Sequence, residues 1–291
     1  MTYPALQDYL THLAKGSESQ NKLWIDTHGR VQGQFRKCSL TSVFQAIVNL
    51  ETEKLFGFDA YAHSYSETDR GLSIWHLLMN GATDDESIEL DRLGRTIHII
   101  NFFRQAENDG RNVVIDVHDR LLTAIGSNHG AAFKRIVSSL GIPQNRIVLQ
   151  LPATKSSQSW ALSQVVDNYK SNGFQVATRA NSIPDALFQI NLLQPTLIRL
   201  DITRVGTGDK LQDLITAAAS RSVKILFSRI EHPHELGLIR DAANVSALEV
   251  ENLFIQGPLI SYPQPELVSN ESYRVDPARQ ASNSGLAHAS I

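Results

Sequence analysis

Short apolar runs rich in β-branched residues alternate with segments of helical apolar spacing along most of this chain. Continuous or period-two apolar runs favour strands, and apolar residues three or four positions apart favour amphipathic helices. The predicted strands are Val43–Leu50, Lys54–Ala62, Asn112–Val117, Arg146–Leu151, Gln175–Thr178, Leu197–Asp201, Val223–Phe227 and Leu253–Gln256. The predicted helices are Ile88–Gln105, Gly130–Ser139, Ser157–Asn172, Pro184–Leu193, Lys210–Arg221 and His234–Ala243. Because successive strand–helix units build a parallel sheet that closes on itself, the pattern predicts an α/β fold, a TIM-like barrel.

The two ends of the chain depart from this alternation. Helical spacing predicts a helix over Tyr3–Leu13, and two short runs on either side of Gly29 predict a hairpin. From residue 265 onward the chain is rich in Ser, Asn and Ala, so it buries too little apolar surface to offset its ordering entropy. We therefore expect an N-terminal extension over residues 1–38, a barrel domain over residues 39–264 and a disordered tail over residues 265–291.

Composition narrows the class of protein without identifying a partner. With 291 residues, of which 42% are hydrophobic and 20% charged, the chain can bury a large core. Its net charge of −3 provides no electrostatic footprint for nucleic acid or for an anionic membrane. The one cysteine, Cys38, cannot form an intrachain disulfide, and the sequence shows neither a signal peptide nor an apolar run of about 18 residues. We expect a cytoplasmic protein with no nucleic-acid or membrane partner.

The ligand site of a TIM-like barrel lies at the carboxyl ends of its strands, and several motifs occur there in order. Phe44–Leu50 followed by Gly57–Tyr61 resembles the opening of an EAL domain, a family in which Phe-Gln-Pro-Ile-Val leads to Gly-x-Glu-Ala-Leu. The later segments that match this family in register are Asn112–Leu121, Ile147–Ala153, Gly173–Ser182, Leu197–Asp201, Phe227–Glu231 and Gln256-Gly257. The resemblance extends over about residues 40–263 and implies an EAL-type modified barrel.

The resemblance also implies an activity, because EAL domains are phosphodiesterases that linearise the bacterial messenger cyclic di-GMP with divalent cations. Such chemistry needs several oxygen ligands around each cation. At the positions of the family's metal ligands and proton-transfer groups, this sequence has Asp59, Asp116, Gln150, Arg179, Ala180, Arg199 and Ser228. A guanidinium among the ligands repels a cation, and arginine keeps its proton at physiological pH.

These departures predict a pseudoenzyme with no catalytic residues, no metal site and no cofactor. We expect Arg179 to take the place of the cation by neutralising both Asp59 and Asp116. The predicted function is that of a catalytically inactive EAL protein acting as a regulatory protein-interaction module in bacterial signalling. The sequence does not identify the protein partner, and family habit allows a homodimer.

Two alternatives stay open. The first is a metal-independent cyclic di-GMP receptor, because two arginines can grip phosphates bidentately. Its predicted ligand residues are Gln45, Asp59, His63, Asp116, Arg179, Arg199, Glu231 and Gln256. The second is a weak metal-dependent phosphodiesterase that works through Asp59 and Asp116.

Other polar signals have structural interpretations. The charged residues of Asp91–Arg95 predict a solvated helix face with salt bridges. His98 is expected to pack within a helix or to face solvent. Glu231–Glu235 contains two histidines, but Pro233 and the acidic residue after it are typical of a helix start.

Overall fold

The computed structural model describes residues 3–15, 22–36, 38–65, 83–106, 110–118, 129–153, 159–205, 209–245 and 250–269. The strands are β1 Leu23–Ile25, β2 Val31–Phe35, β3 Cys38–Asn49, β4 Leu55–Tyr65, β5 Asn112–Asp116, β6 Ile147–Leu151, β7 Gln175–Ala180, β8 Leu197–Asp201, β9 Lys224–Ser228 and β10 Leu253–Ile255. Strands β3 to β10 close into a barrel, since β3 pairs with both β4 and β10. The predicted barrel is confirmed.

One barrel strand runs against the others. β3 is antiparallel to both of its barrel neighbours, whereas β4 to β10 are parallel to one another. The chain reverses after Asn49, whose side-chain carbonyl accepts the backbone N–H groups of Glu51 and Thr52. Glu53 completes the turn with a left-handed φ of 54°. This antiparallel first hairpin distinguishes the barrel from a regular (β/α)8 barrel, in which all strands are parallel.

The helices between the strands begin where the sequence offers capping groups. The described helices are α1 Pro4–Lys15, α2 Asp84–Phe103, α3 His129–Ser139, α4 Ser159–Ser171, α5 Ile183–Leu193, α6 Asp209–Ala219 and α7 Pro233–Val245. Thr83 and Glu86 form a capping box at the start of α2. Ser182 caps α5, with proline in the first turn. All the helices predicted from the sequence are present. Among the described residues, no helix is long and apolar enough to cross a membrane.

One apolar layer fills the inside of the barrel. Because successive side chains of a strand point to opposite faces, each strand contributes an inward residue to this layer. The layer, here called the apolar plug, consists of Ile47, Val114, Val148, Ala177, Leu197, Leu226 and Phe254, with Phe56 packed against it. The larger core lies between strands and helices. A ligand site at the carboxyl ends of the strands therefore has the plug as its floor.

The N-terminal extension packs on the barrel. Its predicted hairpin is confirmed, since β1 and β2 pair antiparallel and β2 continues the sheet beside β3. Asn101 of α2 holds this hairpin, because its side-chain amide accepts the backbone N–H of Val31 and donates to the carbonyl of the same residue. Closer to the start of the chain, the Tyr3 hydroxyl accepts a hydrogen bond from Arg146 Nη1 at 2.6 Å.

The C-terminal strap, residues 257–268, also follows the barrel wall. Gln264 forms an antiparallel bridge with Phe44 of β3, and the Gln105 side chain bonds the backbone of Pro265 and Leu267. The predicted tail begins inside this strap, and residues 270–291 lie outside the described residues.

Candidate functional site at the barrel mouth

Polar side chains form a second inward layer above the apolar plug. On β3 and on β5 to β10, the residue two positions nearer the mouth than the plug residue belongs to this layer. In strand order these residues are Gln45, Asp116, Gln150, Arg179, Arg199, Ser228 and Gln256. Asp59 of β4 joins this polar layer, because it is the register partner of Gln45. The fold therefore brings six of the eight predicted ligand residues to one level of the barrel.

Arg199 and Asp59 form an ion pair from which solvent is almost excluded, here called the inner pair. Arg199 Nη2 donates to Asp59 Oδ2 at 2.6 Å, and the two side chains are 6% and 1% exposed. The same carboxylate oxygen accepts hydrogen bonds from Gln256 Nε2 at 3.1 Å and from the Tyr61 hydroxyl at 2.8 Å. Gln256 Oε1 also accepts from Arg199 at 3.3 Å. These contacts hold both charges in one geometry.

The surroundings of the inner pair favour the charged form of Arg199 and the neutral form of Tyr61. Burial alone lowers the pKa of Arg199, but Asp59, Tyr61 and Asp116 outweigh that effect and raise the pKa above its ordinary value. Burial and the Asp59 carboxylate raise the pKa of Tyr61, so its hydroxyl keeps the proton that it donates. Removing one partner of such a pair leaves an uncompensated buried charge.

The C-terminal strap orients the Gln45 side chain of the polar layer. Gln45 Nε2 donates to the Ser261 carbonyl at 2.7 Å, which leaves Gln45 Oε1 facing the Tyr61 hydroxyl at 3.3 Å. The strap passes this close because Gly257 has no side chain: a Cβ there would lie 2.2 Å from the carbonyl oxygen of Ile230. No local pattern in the sequence links Ser261 to Gln45, because the two residues are 216 positions apart.

A second ion pair, here called the outer pair, joins Arg179 to Asp116. Arg179 Nη2 lies 3.1 Å from Asp116 Oδ1 and 3.4 Å from Oδ2. These side chains are 41% and 50% exposed. The prediction that Arg179 neutralises two carboxylates is therefore confirmed for Asp116 and wrong for Asp59. Asp59 is paired instead with Arg199, which projects from the neighbouring strand at the level of Arg179.

Several buried polar atoms of the layer have no hydrogen-bond partner within the described part of the chain. They are the acceptors Asp59 Oδ1 and Gln150 Oε1 and the donors Arg179 Nε and Arg199 Nε. Folded proteins pair nearly all such groups with protein, water or ligand. The polar layer therefore keeps two acceptors and two donors whose partners lie outside the described side chains.

The family resemblance implies divalent cations, and the side chains as arranged do not fit them. Asp59 and Asp116 each already hold a guanidinium, and Gln150 offers only a neutral oxygen. The described residues contain no group of three His, Cys, Asp or Glu side chains that could hold a metal ion. Two unit charges of like sign ~4 Å apart repel by roughly 4 kcal/mol at an effective dielectric constant of about 20, so either arginine opposes a cation beside it.

Two predicted ligand residues lie away from the polar layer. His63 is further along β4, opposite Thr41, with its side chain exposed. Glu231 follows β9, is 45% exposed, and has Arg229 Nη2 at 3.9 Å. Its backbone N–H, like that of His232, donates to Glu235 at the start of α7, which agrees with the helix-start interpretation of this segment.

The charges of Asp91 and Arg95 differ from their prediction. They are not on a solvated face: the side chains form a buried ion pair, and they are only 3% and 5% exposed. Asp91 Oδ1 also accepts the backbone N–H of His118 at 2.9 Å. Because His118 follows the end of β5, this contact supports the strand end that carries Asp116.

His98 is buried beside the site. Its side chain points from α2 towards β3, where its Nδ1 lies 2.8 Å from the Ser42 hydroxyl. Burial lowers its pKa to about 4, although the Asp59 carboxylate acts in the opposite direction. His98 is therefore neutral at physiological pH.

The fold is an α/β barrel with a layer of polar and charged side chains at its mouth. The sequence matches the EAL domain family over residues 28–247, and the chain belongs to that family. A search among curated proteins returned no match.

Solved structures with the same fold include three EAL proteins with bound nucleotide. The Bacillus subtilis YkuI protein, in complex with substrate c-di-GMP and calcium, is 18% identical with a TM-score of 0.61, and the match covers 84% of this chain and 58% of YkuI. A standalone EAL protein from Vibrio cholerae O395, in c-di-GMP-bound form, is 17% identical with a TM-score of 0.59, and the match covers 79% of this chain and 94% of that protein. Klebsiella pneumoniae BlrP1, in a manganese/cy-diGMP complex, is 16% identical with a TM-score of 0.60, and the match covers 79% of this chain and 56% of BlrP1. At these identities the likeness shows the fold.

These comparisons correct the prediction of a pseudoenzyme. That prediction rested on substituted ligand positions, whereas the family match and the neighbours, one of them bound to its substrate, support membership of an enzyme family. The substitutions change the charges of the site, and they are not evidence that the protein lacks activity.

Proposed function

We propose that the barrel mouth binds cyclic di-GMP and that the protein acts in cyclic di-GMP signalling. The polar layer carries this proposal, because it gathers amide, carboxylate and guanidinium groups above the apolar plug at the carboxyl ends of the strands. Gln45 and Gln256 of this layer stand where the family resemblance implies ligand contacts. Nucleotide-bound neighbours with the same fold support the choice of ligand.

The chemistry of the layer suits this ligand. A cyclic dinucleotide has two phosphodiester anions and two guanine bases with donors and acceptors at their edges. Arg179 is half-exposed and can meet a phosphate, since a guanidinium pairs with a phosphate through two parallel hydrogen bonds. The unpaired Gln150 Oε1 can accept a hydrogen bond from the ligand. That the protein acts as a regulatory module by binding a protein partner stays a prediction.

Isothermal titration with cyclic di-GMP tests this function. We expect heat of binding both in Mg²⁺ and in EDTA, with cyclic di-AMP and linear dinucleotide as control ligands. Arg221→Ala, which removes an exposed arginine away from the mouth, should bind like the wild type. Saturating cyclic di-GMP that produces no heat and no thermal stabilisation in either buffer would contradict the proposal.

Hydrolysis of cyclic di-GMP is the second candidate function. The match to the EAL domain family favours it, together with a neighbour of the same fold that is bound to its substrate. Chromatography of the nucleotide recovered from the Mg²⁺ titration tests it. Linear product that forms in Mg²⁺ and disappears in Asp59→Asn would support hydrolysis, and fully recovered cyclic nucleotide would contradict it.

A further inference from the structure

Arg179 and Arg199 are direct neighbours across two strands. Their Cα atoms are register partners in the parallel β7–β8 pair, and adjacent strands lie about 4.8 Å apart. Both side chains start from the inward face of the barrel. Two guanidinium groups that begin this close repel each other unless anions lie beside them.

Each of these arginines uses only part of its donor set. Arg199 Nη2 serves Asp59 and Gln256, and Arg179 Nη2 serves Asp116. The Nε atom of each arginine is buried and has no hydrogen-bond partner. Both hydrogens of Arg199 Nη2 are engaged, so the Nε edge of this side chain offers an oxyanion a single further donor, its Nε–H, whereas Arg179 presents two neighbouring N–H groups once Asp116 is displaced.

We propose that Arg179 and Arg199 form a clamp for one phosphodiester group, at the level where the family resemblance implies cations. This proposal rests on the proposed cyclic di-GMP function and names the groups that hold the phosphate without metal. The phosphate replaces Asp116 as the partner of Arg179, because a half-exposed ion pair is weak. The inner pair stays intact, since Asp59 is buried and has further donors in Tyr61 and Gln256.

The Asp116→Asn variant changes the affinity for cyclic di-GMP in opposite directions for a clamp and for a cation site. A clamp loses a competitor for Arg179, whereas a cation site loses a charged ligand. In EDTA we expect Asp116→Asn to tighten cyclic di-GMP binding about two- to fivefold, the range that a half-exposed ion pair allows. Weaker binding by this variant, or binding that appears only in Mg²⁺, would overturn the clamp and leave the proposed ligand in place.

Arg179 variants measure the clamp itself. Arg179→Ala should weaken binding in EDTA roughly tenfold or more, the scale of a charge-assisted hydrogen bond. Arg179→Lys should fall between Arg179→Ala and the wild type, because lysine keeps the charge but lacks the planar fork. Arg221→Ala is the matched control. Unchanged affinity in a folded Arg179→Ala protein, with the wild-type unfolding midpoint, would overturn the clamp.

Orthophosphate alone separates the clamp from the identity of the ligand. We expect it to raise the thermal unfolding midpoint of the wild type and to have no effect on Arg179→Ala. Such protection in a protein that does not bind cyclic di-GMP would support the clamp and contradict the proposed function. No response to either ligand would contradict both.

Discussion

The inner and outer ion pairs contain the same two chemical groups at one level of the barrel, and they differ in exposure. Arg199 and Asp59 are almost fully buried, whereas Arg179 and Asp116 are about half exposed. A buried charge has no water to replace a lost partner, so the inner pair is strongly coupled to folding. An exposed pair gains little free energy from its contact and can exchange its partner for a ligand.

One layer of charges thus combines a fixed ion pair with an exchangeable one. The inner pair, with Tyr61 and Gln256, builds a rigid centre. The outer pair adds a cation that a solvated anion can reach. Exposure, more than residue type, decides which arginine can change its partner: Arg199 keeps its carboxylate in the proposed clamp, and Arg179 exchanges Asp116 for the phosphate. Each of the following experiments tests that separation.

The largest effect is expected from removing one partner of the inner pair. Arg199→Ala leaves the Asp59 carboxylate buried without its counter-ion, which should lower the free energy of unfolding by about 3–5 kcal/mol. Urea unfolding followed by circular dichroism measures the loss. The double variant Arg199→Met with Asp59→Leu should recover most of it, since it removes both charges. A loss below about 1 kcal/mol in Arg199→Ala would show that solvent reaches the inner pair.

A smaller loss is expected when the inner pair keeps both charges and loses one hydrogen bond. Tyr61→Phe removes a donor to the buried Asp59 carboxylate, so it should lower the free energy of unfolding by about 1.5–3 kcal/mol. Tyr262→Phe is the control, because Tyr262 is 57% exposed, and it should have no measurable effect. Equal urea midpoints for the two variants would contradict the coupling of Tyr61 to the inner pair.

The pH dependence of stability tests how dry the region next to the inner pair is. Burial lowers the folded-state pKa of His98 to about 4, below the value of about 6.5 in an unfolded chain. The stabilising contribution is therefore complete above about pH 6.5 and is lost as the pH falls from there towards about 4. Between pH 7.5 and pH 5 the loss amounts to about 2 kcal/mol.

A variant isolates this contribution from other titrating groups. His98→Gln should lack it, so the difference in unfolding free energy between wild type and His98→Gln should shrink as the pH falls. A difference that is constant over this range would mean that His98 titrates normally and that the region is hydrated.

The smallest effect is expected at the outer pair. A double-mutant cycle with Arg179→Ala and Asp116→Ala should give a coupling free energy below about 1 kcal/mol, decreasing with added salt. The same cycle at Arg199 and Asp59 should exceed it several-fold. Equal coupling at the two pairs would remove the distinction between a structural and an exchangeable pair.

Most of the fold follows from local pattern. The alternation of apolar runs and helical spacing predicted β3 to β10 and the helices α2 to α7. This works because the spacing of apolar residues along the chain reflects which side of a strand or helix is buried. The strap was harder to foresee. Its contacts to Phe44 and Gln105 join positions far apart in sequence, and its few large apolar residues suggested disorder from residue 265.

The sequence predicted most residues of the candidate site, but only part of the ion pairing among them. Strand ends and family motifs identified Gln45, Asp59 and Arg179, and alternation places them at one level. The sequence could not tell which arginine meets which carboxylate, because Arg179 and Arg199 project from adjacent strands and both are long enough to reach an acid. It also suggested His63 and Glu231, which lie outside the layer.

By itself, the sequence determined the barrel, the family and the residues at the strand ends, since each depends on local periodicity or on a motif read along the chain. Only the tertiary structure decided that Asp59 pairs with Arg199, that Asp91 and Arg95 are buried, and that Ser261 reaches Gln45. Ion pairing and burial depend on distances between segments and on excluded solvent, and both quantities exist only once the chain has closed on itself.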